Sequence, residues 1–125
     1  MLSRKVSKQK SSIHGFGIFA IEPIKKYEII YHTIYDSLET MTLQEFEALP
    51  EGEKKKRWET YSFWKYGRVC LETDDAIYIN HSKDDFNCAE VGDYGFATKD
   101  ILAGTEILVD YAVWVRPGEE ETDYG

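Results

Sequence analysis

Short apolar runs, each cut off by glycines or polar turns, constrain this chain more than any other feature, because such a pattern folds into many brief β-strands. Phe16 to Ile21 is one such run, opened by Gly15 and Gly17, and Glu28 to Tyr35, rich in Ile and Tyr, is a second. Arg68 to Glu72 and Ala76 to Ile79 flank the polar turn Thr73-Asp74-Asp75 and read as a hairpin. Helical signal is confined to the middle of the chain. Thr42 followed by Glu45 fits a capping box, with Leu43, Phe46 and Leu49 on one side before Pro50 stops the run. A second helix is expected over about Glu53 to Tyr61, after Gly52. Its basic run Lys54-Lys55-Lys56-Arg57 is flanked by Glu51, Glu53 and Glu59 and reads as a solvated face. The fold class is therefore mainly β with short helices.

With 125 residues the chain has the length of one domain, and at 42% hydrophobic it can bury a core. There is no internal repeat and no low-complexity linker, so 1–125 is taken as a single domain. No apolar run approaches the ~20 residues of a membrane span, and the basic start, Arg4 to Lys10, is not followed by the apolar stretch of a signal peptide. An intracellular location is expected. Two cysteines, Cys70 and Cys88, can make neither a disulfide framework nor a four-cysteine zinc site and read as small half-buried side chains, so no metal is expected. A net charge of −8 argues against binding a phosphate backbone and is compatible with a basic partner.

Three segments carry candidate chemistry. Gly15-Phe16-Gly17 lacks the third glycine and the following helix of a dinucleotide fingerprint, so by itself it is a strand-opening turn whose backbone can bend and approach a ligand. Asn80-His81-Ser82 places an amide, an imidazole and a hydroxyl after an apolar run, and Asn can satisfy mixed polar groups on one ligand. Alone, it is a polar turn with a buried histidine. Phe96 to Tyr111 reads as a strand, a turn at Gly104 and a second strand, on which Tyr111 would be an ordinary half-buried residue.

In this order the three segments resemble the signature blocks of the SET-domain protein lysine methyltransferases: a G-x-G turn, an N-H-S block, and a G-E-E-L-x-x-D-Y block. The resemblance spans roughly Lys5 to Trp114 and leaves 115–125 as an acidic tail. It implies a fold of small curved sheets, the β-clip, with the C-terminal segment threaded through a preceding loop as a pseudoknot. It also implies S-adenosylmethionine as cofactor, held by Gly15, Phe16, Gly17, Asn80, His81 and Tyr111. Asn80 would engage the methionine portion by its side chain and His81 the adenine by its main chain. Tyr111 falls on the family's catalytic tyrosine, Glu106 on the acidic residue of the third block, and Thr105 replaces the first of the usual two glutamates. Tyr61 is similar in position to a tyrosine between cofactor and lysine channel. Val109 stands where many members use Phe or Tyr to limit methyl addition, and leaves mono-, di- or trimethylation open. After Ser82 the pattern departs from the family: Phe86 replaces a proline before Asn87, in a loop one residue longer.

The chemistry suits such residues. A lysine has a reference pKa of ~10.4, so its ammonium must lose a proton near the site, and a sulfonium close by favours that loss. In-line methyl displacement then needs positioning in a dry channel, with the Tyr111 hydroxyl orienting the amine and aromatic walls tolerating a methylated cation. The chain lacks the cysteine-rich zinc segments of larger members and resembles the small viral and bacterial forms. Closing the channel then falls to the C-terminal segment, with Trp114, or to a second subunit in a homodimer. The expected substrate is a lysine-containing basic protein or peptide, a histone tail among them, which would add the nucleus to the cytoplasm as an address. The alternative is a SET-like interaction module without catalysis.

Overall fold

The computed structural model describes residues 1–110, which form three small sheets around two apolar clusters. Strands β1 (Val6–Lys10) and β2 (Phe16–Ala20) make an antiparallel hairpin running from Val6 opposite Ala20 to Lys10 opposite Phe16. A three-stranded sheet has the order β4 (Glu39–Met41), β6 (Arg68–Leu71), β5 (Phe63–Lys65). A five-stranded sheet has the order β3 (Ile29–His32), β9 (Tyr94–Ala97), β8 (Cys88–Val91), β10 (Leu108–Val109), β7 (Asn80–His81).

Both helices follow from local chemistry. In α1 (Leu43–Glu47) the Thr42 side chain accepts from the Glu45 N–H while the Glu45 carboxylate accepts from the Thr42 N–H, the reciprocal pair the spacing predicts. Helix α2 (Glu53–Tyr61) exposes Lys54, Lys56 and Arg57, half-buries Lys55 against Glu51, and fully buries Trp58 alone. Trp58 joins Met41, Val69, Leu71 and Ile77 in the smaller cluster, with Leu43, Phe46 and Leu49 packed against it. The larger cluster includes Ile18, Ile24, Ile30, Ile79, Ile101, Ile107 and Val109. Tyr78 packs against both. Cys70 and Cys88 are fully buried free thiols, more enclosed than expected, and burial pushes their pKa values up to about 11 and about 12.

The topology shows its unusual feature at β10, which lies parallel to and between β7 and β8, two strands that follow one another in the chain. A late strand is thereby inserted between two earlier ones joined by the 82–87 loop. The threading of the C-terminal segment lies outside the described residues, as do Tyr111 and Trp114.

The expected hairpin of Arg68–Glu72 with Ala76–Ile79 does not form. Both edges of β6 are taken by β4 and β5, and Asp75–Tyr78 is a 3₁₀ turn begun by the Asp74 carboxylate, which accepts from the Ala76 N–H. The partner of β6 is instead β5, joined by the two-residue turn Tyr66-Gly67 with φ values of 58° and 70°. Such paired positive φ values suit the twist of a tight hairpin, though a tyrosine rarely adopts them. The run Glu28 to Tyr35 is also shorter as a strand, since Tyr35–Ser37 turns into a 3₁₀ helix. Among the described residues no helix is long and apolar enough to cross a membrane.

Trp58 is the sole buried residue of α2, so Trp58→Ala should detach the helix from its sheet and cost ~3–5 kcal/mol. Urea denaturation followed by circular dichroism should show a midpoint displaced to much lower urea.

Candidate functional site

The first and third blocks are brought together by main-chain bonds. Ala20 N–H donates to Thr105 O at 2.9 Å, Gly104 N–H to Ala20 O at 2.7 Å and Ile107 N–H to Ile18 O at 2.7 Å. This short ladder carries Glu106 to the G-x-G turn. Its carboxylate accepts from the Ser11 hydroxyl at 2.8 and 3.0 Å and from Asn80 Nδ2 at 2.8 Å. The same Nδ2 donates to Phe16 O at 3.0 Å and His14 O at 3.2 Å, so one amide ties the second block to both others. Asn80 is 7% exposed.

Gly17 is required by this packing. A Cβ built there would stand 2.2 Å from Glu106 Oε2 and 3.2 Å from Asn80 Nδ2, well inside van der Waals contact. The close approach that the glycine permits is to the protein's own carboxylate. Gly15, at φ +44°, supplies the bend.

Asn87 does comparable work on the other flank. It is 5% exposed, its Nδ2 donates to Glu106 O at 2.9 Å, and its Oδ1 accepts from Leu108 N–H at 2.9 Å. Main-chain bonds from Asn87 N–H to Leu108 O and from Ser82 N–H to Val109 O complete the clamp, both at 3.0 Å. His81 pairs with Val109 in register, and its Nδ1 is 4.0 Å from Asp110 Oδ1.

Aromatic rings extend the site away from the turn. Phe16 meets Tyr78 edge to face at 5.9 Å and Tyr78 meets Tyr61 likewise at 5.8 Å. The Lys8 ammonium sits over the first two rings, 4.6 Å from the Phe16 centroid and 4.5 Å from that of Tyr78. Tyr61 then borders a narrow cleft walled by Phe63, Ile77 and Ile79, with Thr33, Tyr31, Glu72 and Glu90 also lining it. A second opening is lined by Phe86, Cys88, Val109 and Asp110, and shares Tyr31 and Glu90 with the first.

Two carboxyl groups reach the cleft, and both are engaged by neighbours. Glu90 is paired with Lys65 at 2.6 Å and accepts from the Tyr31 hydroxyl at 2.8 Å. Glu72 accepts from Thr33 Oγ1 at 3.4 Å, and burial pushes its pKa up to about 7. Burial first, then the Glu90 charge, raises the Tyr31 phenol far above its ordinary value, which keeps it a neutral donor.

The structure thus gathers Gly15, Phe16, Gly17, Asn80 and His81 in one place, with Tyr61 reached through Tyr78; Tyr111 lies outside the described residues. Sequence reasoning missed the roles of Ser11, Asn87, Tyr78, Glu72 and Lys8. Tyr78 carried a readable signal, since it stands between the apolar Ile77 and Ile79 and turns to the opposite side.

A protein-family model described as the SET domain matches residues 15–112. Among solved structures, a Plasmodium falciparum protein described as a candidate histone methyltransferase is similar with a TM-score of 0.60 and 25% identity, covering 86% of this chain and 92% of the other. The methyltransferase domain of human PR domain-containing protein 2 matches with a TM-score of 0.60 and 18% identity, over 94% of this chain and 84% of that one, a likeness of fold. No curated protein matches the sequence.

Gly17→Ala should force Glu106 off Ser11 and Asn80 and cost ~1–3 kcal/mol, as overpacking does; differential scanning calorimetry should show a lower melting temperature. Glu72 makes a pH-dependent prediction. Its carboxyl binds a proton more tightly folded than unfolded, so the cost of its buried charge is absent below about 4.5, grows as pH rises, and is complete above about 7. Glu72→Gln should therefore be more stable than wild type by ~2 kcal/mol at pH 8 and no more stable near pH 4.5, measured by urea denaturation.

Proposed function

The chain belongs to the SET-domain family, and from that premise we propose that it is a protein lysine methyltransferase using S-adenosylmethionine. The observation that carries this reading is the Asn80 amide, through which all three signature blocks meet at one point. The residues present suit the cofactor. Phe16 is 44% exposed beside the turn, and with Nδ2 engaged by three protein acceptors Asn80 offers its carbonyl oxygen to a ligand ammonium. The main chain of His81, on the same strand, would meet the adenine. When bound, S-adenosylmethionine supplies an electrophilic methyl group on a sulfonium.

The remaining work falls to the protein. Tyr61, Phe63, Ile77 and Ile79 wall the cleft with ring and aliphatic surface, which favours a neutral amine while ring faces still accept a methylated cation. Glu72 and Glu90 lie on the same cleft, where their oxygens are placed to accept hydrogen bonds from a lysine-bearing chain. Tyr111 is the proposed catalytic residue, its hydroxyl holding the substrate amine in line, and Tyr61 the wall between cofactor and substrate sides. The Plasmodium falciparum relative is described as a candidate histone methyltransferase, and a lysine-bearing, histone-like tail is the proposed substrate class.

Calorimetric titration of S-adenosylmethionine should give micromolar binding to the wild-type chain and weaker binding to Asn80→Ala. Tyr111→Phe should lower labelled-methyl transfer to a lysine peptide roughly hundredfold while leaving cofactor affinity nearly unchanged. An undiminished rate would remove Tyr111 from the chemistry, and a wild-type chain that binds the cofactor but methylates no basic tail would favour an interaction module.

A further inference from the structure

Lys8 lies on β1 opposite Ile18, with its ammonium in the notch between Phe16 and Tyr78, rings set at 67° to one another. Phe16 is the middle residue of the G-x-G turn, and its carbonyl is bonded to Asn80. The cation is therefore at the end of the site where the methionine portion of the cofactor is assigned. Lys5, Lys55 and Lys65 are paired with Glu28, Glu51 and Glu90, whereas among the described residues Lys8 has no carboxylate partner, in a chain of net charge −8.

The donor inventory makes this position informative. An amino-acid moiety brings one ammonium and one carboxylate. Acceptors for the ammonium are at hand in the Asn80 carbonyl oxygen and the carbonyls of the turn. A donor for the carboxylate is scarcer, because Asn80 Nδ2 is already committed to His14, Phe16 and Glu106. The Glu106 carboxylate close to that amide also repels a second anion. Lys8 is exposed, carries three rotatable donors, and is held at the rings by a cation–π attraction that is weak at exposed sites. It can turn to an anion without losing its place on the strand.

We propose that Lys8, seated between Phe16 and Tyr78, is the residue that binds the carboxylate of the cofactor's methionine moiety. This rests on the reading of the site as one for S-adenosylmethionine, and makes β1 a fourth contributor to it beside the three signature blocks.

The test is calorimetry on the full chain with two ligands, S-adenosylmethionine and its decarboxylated analogue, which keeps the adenosine, the sulfonium and the amine. Lys8→Ala should bind S-adenosylmethionine roughly tenfold more weakly than wild type, the loss of one charge-assisted hydrogen bond. Both proteins should bind the decarboxylated analogue alike, and Lys8→Arg should recover most of the affinity for the parent ligand. Equal binding of S-adenosylmethionine by wild type and Lys8→Ala overturns the proposal. An equal loss for both ligands also overturns it, since Lys8 then acts through the packing of the rings. If the wild-type chain binds neither ligand, the cofactor reading itself fails and the proposal with it; if it binds both and Lys8→Ala changes nothing, only the proposal fails.

Discussion

A single carboxylate, that of Glu106, sets the shape of the site. It is partly shielded from water and so must find donors, because an ionised group out of water is costly unless hydrogen-bonded. It finds them in Ser11, ninety-five residues away in the chain, and in Asn80, twenty-six away. Asn80 in turn spends its donor capacity on the carbonyls of His14 and Phe16, which fixes the path of the turn. The glycine at position 17 is the steric condition for the whole arrangement, since any side chain there would occupy the space of the carboxylate. The glycine turn is thus held by a residue nearly ninety positions further along the chain, beside strand β10.

Asn87 secures β10. With its side chain it both donates to Glu106 O and accepts from Leu108 N–H, so a buried amide continues the ladder that holds β10 between β7 and β8. The two asparagines act from either side of the third block, one on a side chain and one on the backbone. Between them the loop that departs from the family pattern carries Phe86 to the wall of the second opening, beside Val109. Phe86 thus lines that opening while its neighbour Asn87 clamps β10.

Much of this was legible where a local rule decides the outcome. The capping box at Thr42 and Glu45 and the span of α2 follow from nearest neighbours along the chain, and the β-strand at Phe16–Ala20 from an apolar run opened by glycine. The failures come where tertiary pairing decides. Ala76 to Ile79 has strand-like composition, yet the Asp74 carboxylate caps it as a 3₁₀ turn and β6 has no free edge to receive it. The β5–β6 hairpin was hidden because its turn puts a tyrosine at φ 58°, a conformation propensity rules disfavour. The clustering of the G-x-G turn with Asn80 was anticipated through family resemblance. The bonds that achieve it were not, because a contact between Ser11 and Glu106 has no signature in a single sequence.

The misread segment is also the one that organises the two sides of the site. Had Ala76–Ile79 formed a strand paired to β6, its side chains would have been committed to that sheet. As a 3₁₀ turn leading into β7 it presents Tyr78 toward Phe16 while Ile77 and Ile79 face the cleft with Glu72. A cation rests on the Phe16 and Tyr78 rings on one side, and carboxylates line the cleft on the other. On the proposed reading the cation faces the cofactor's carboxylate, and the carboxyl groups face the lysine-bearing chain. Tyr61 meets Tyr78 on one side and borders the cleft on the other, so the Tyr78 and Tyr61 rings stand between the cation and the carboxyl groups.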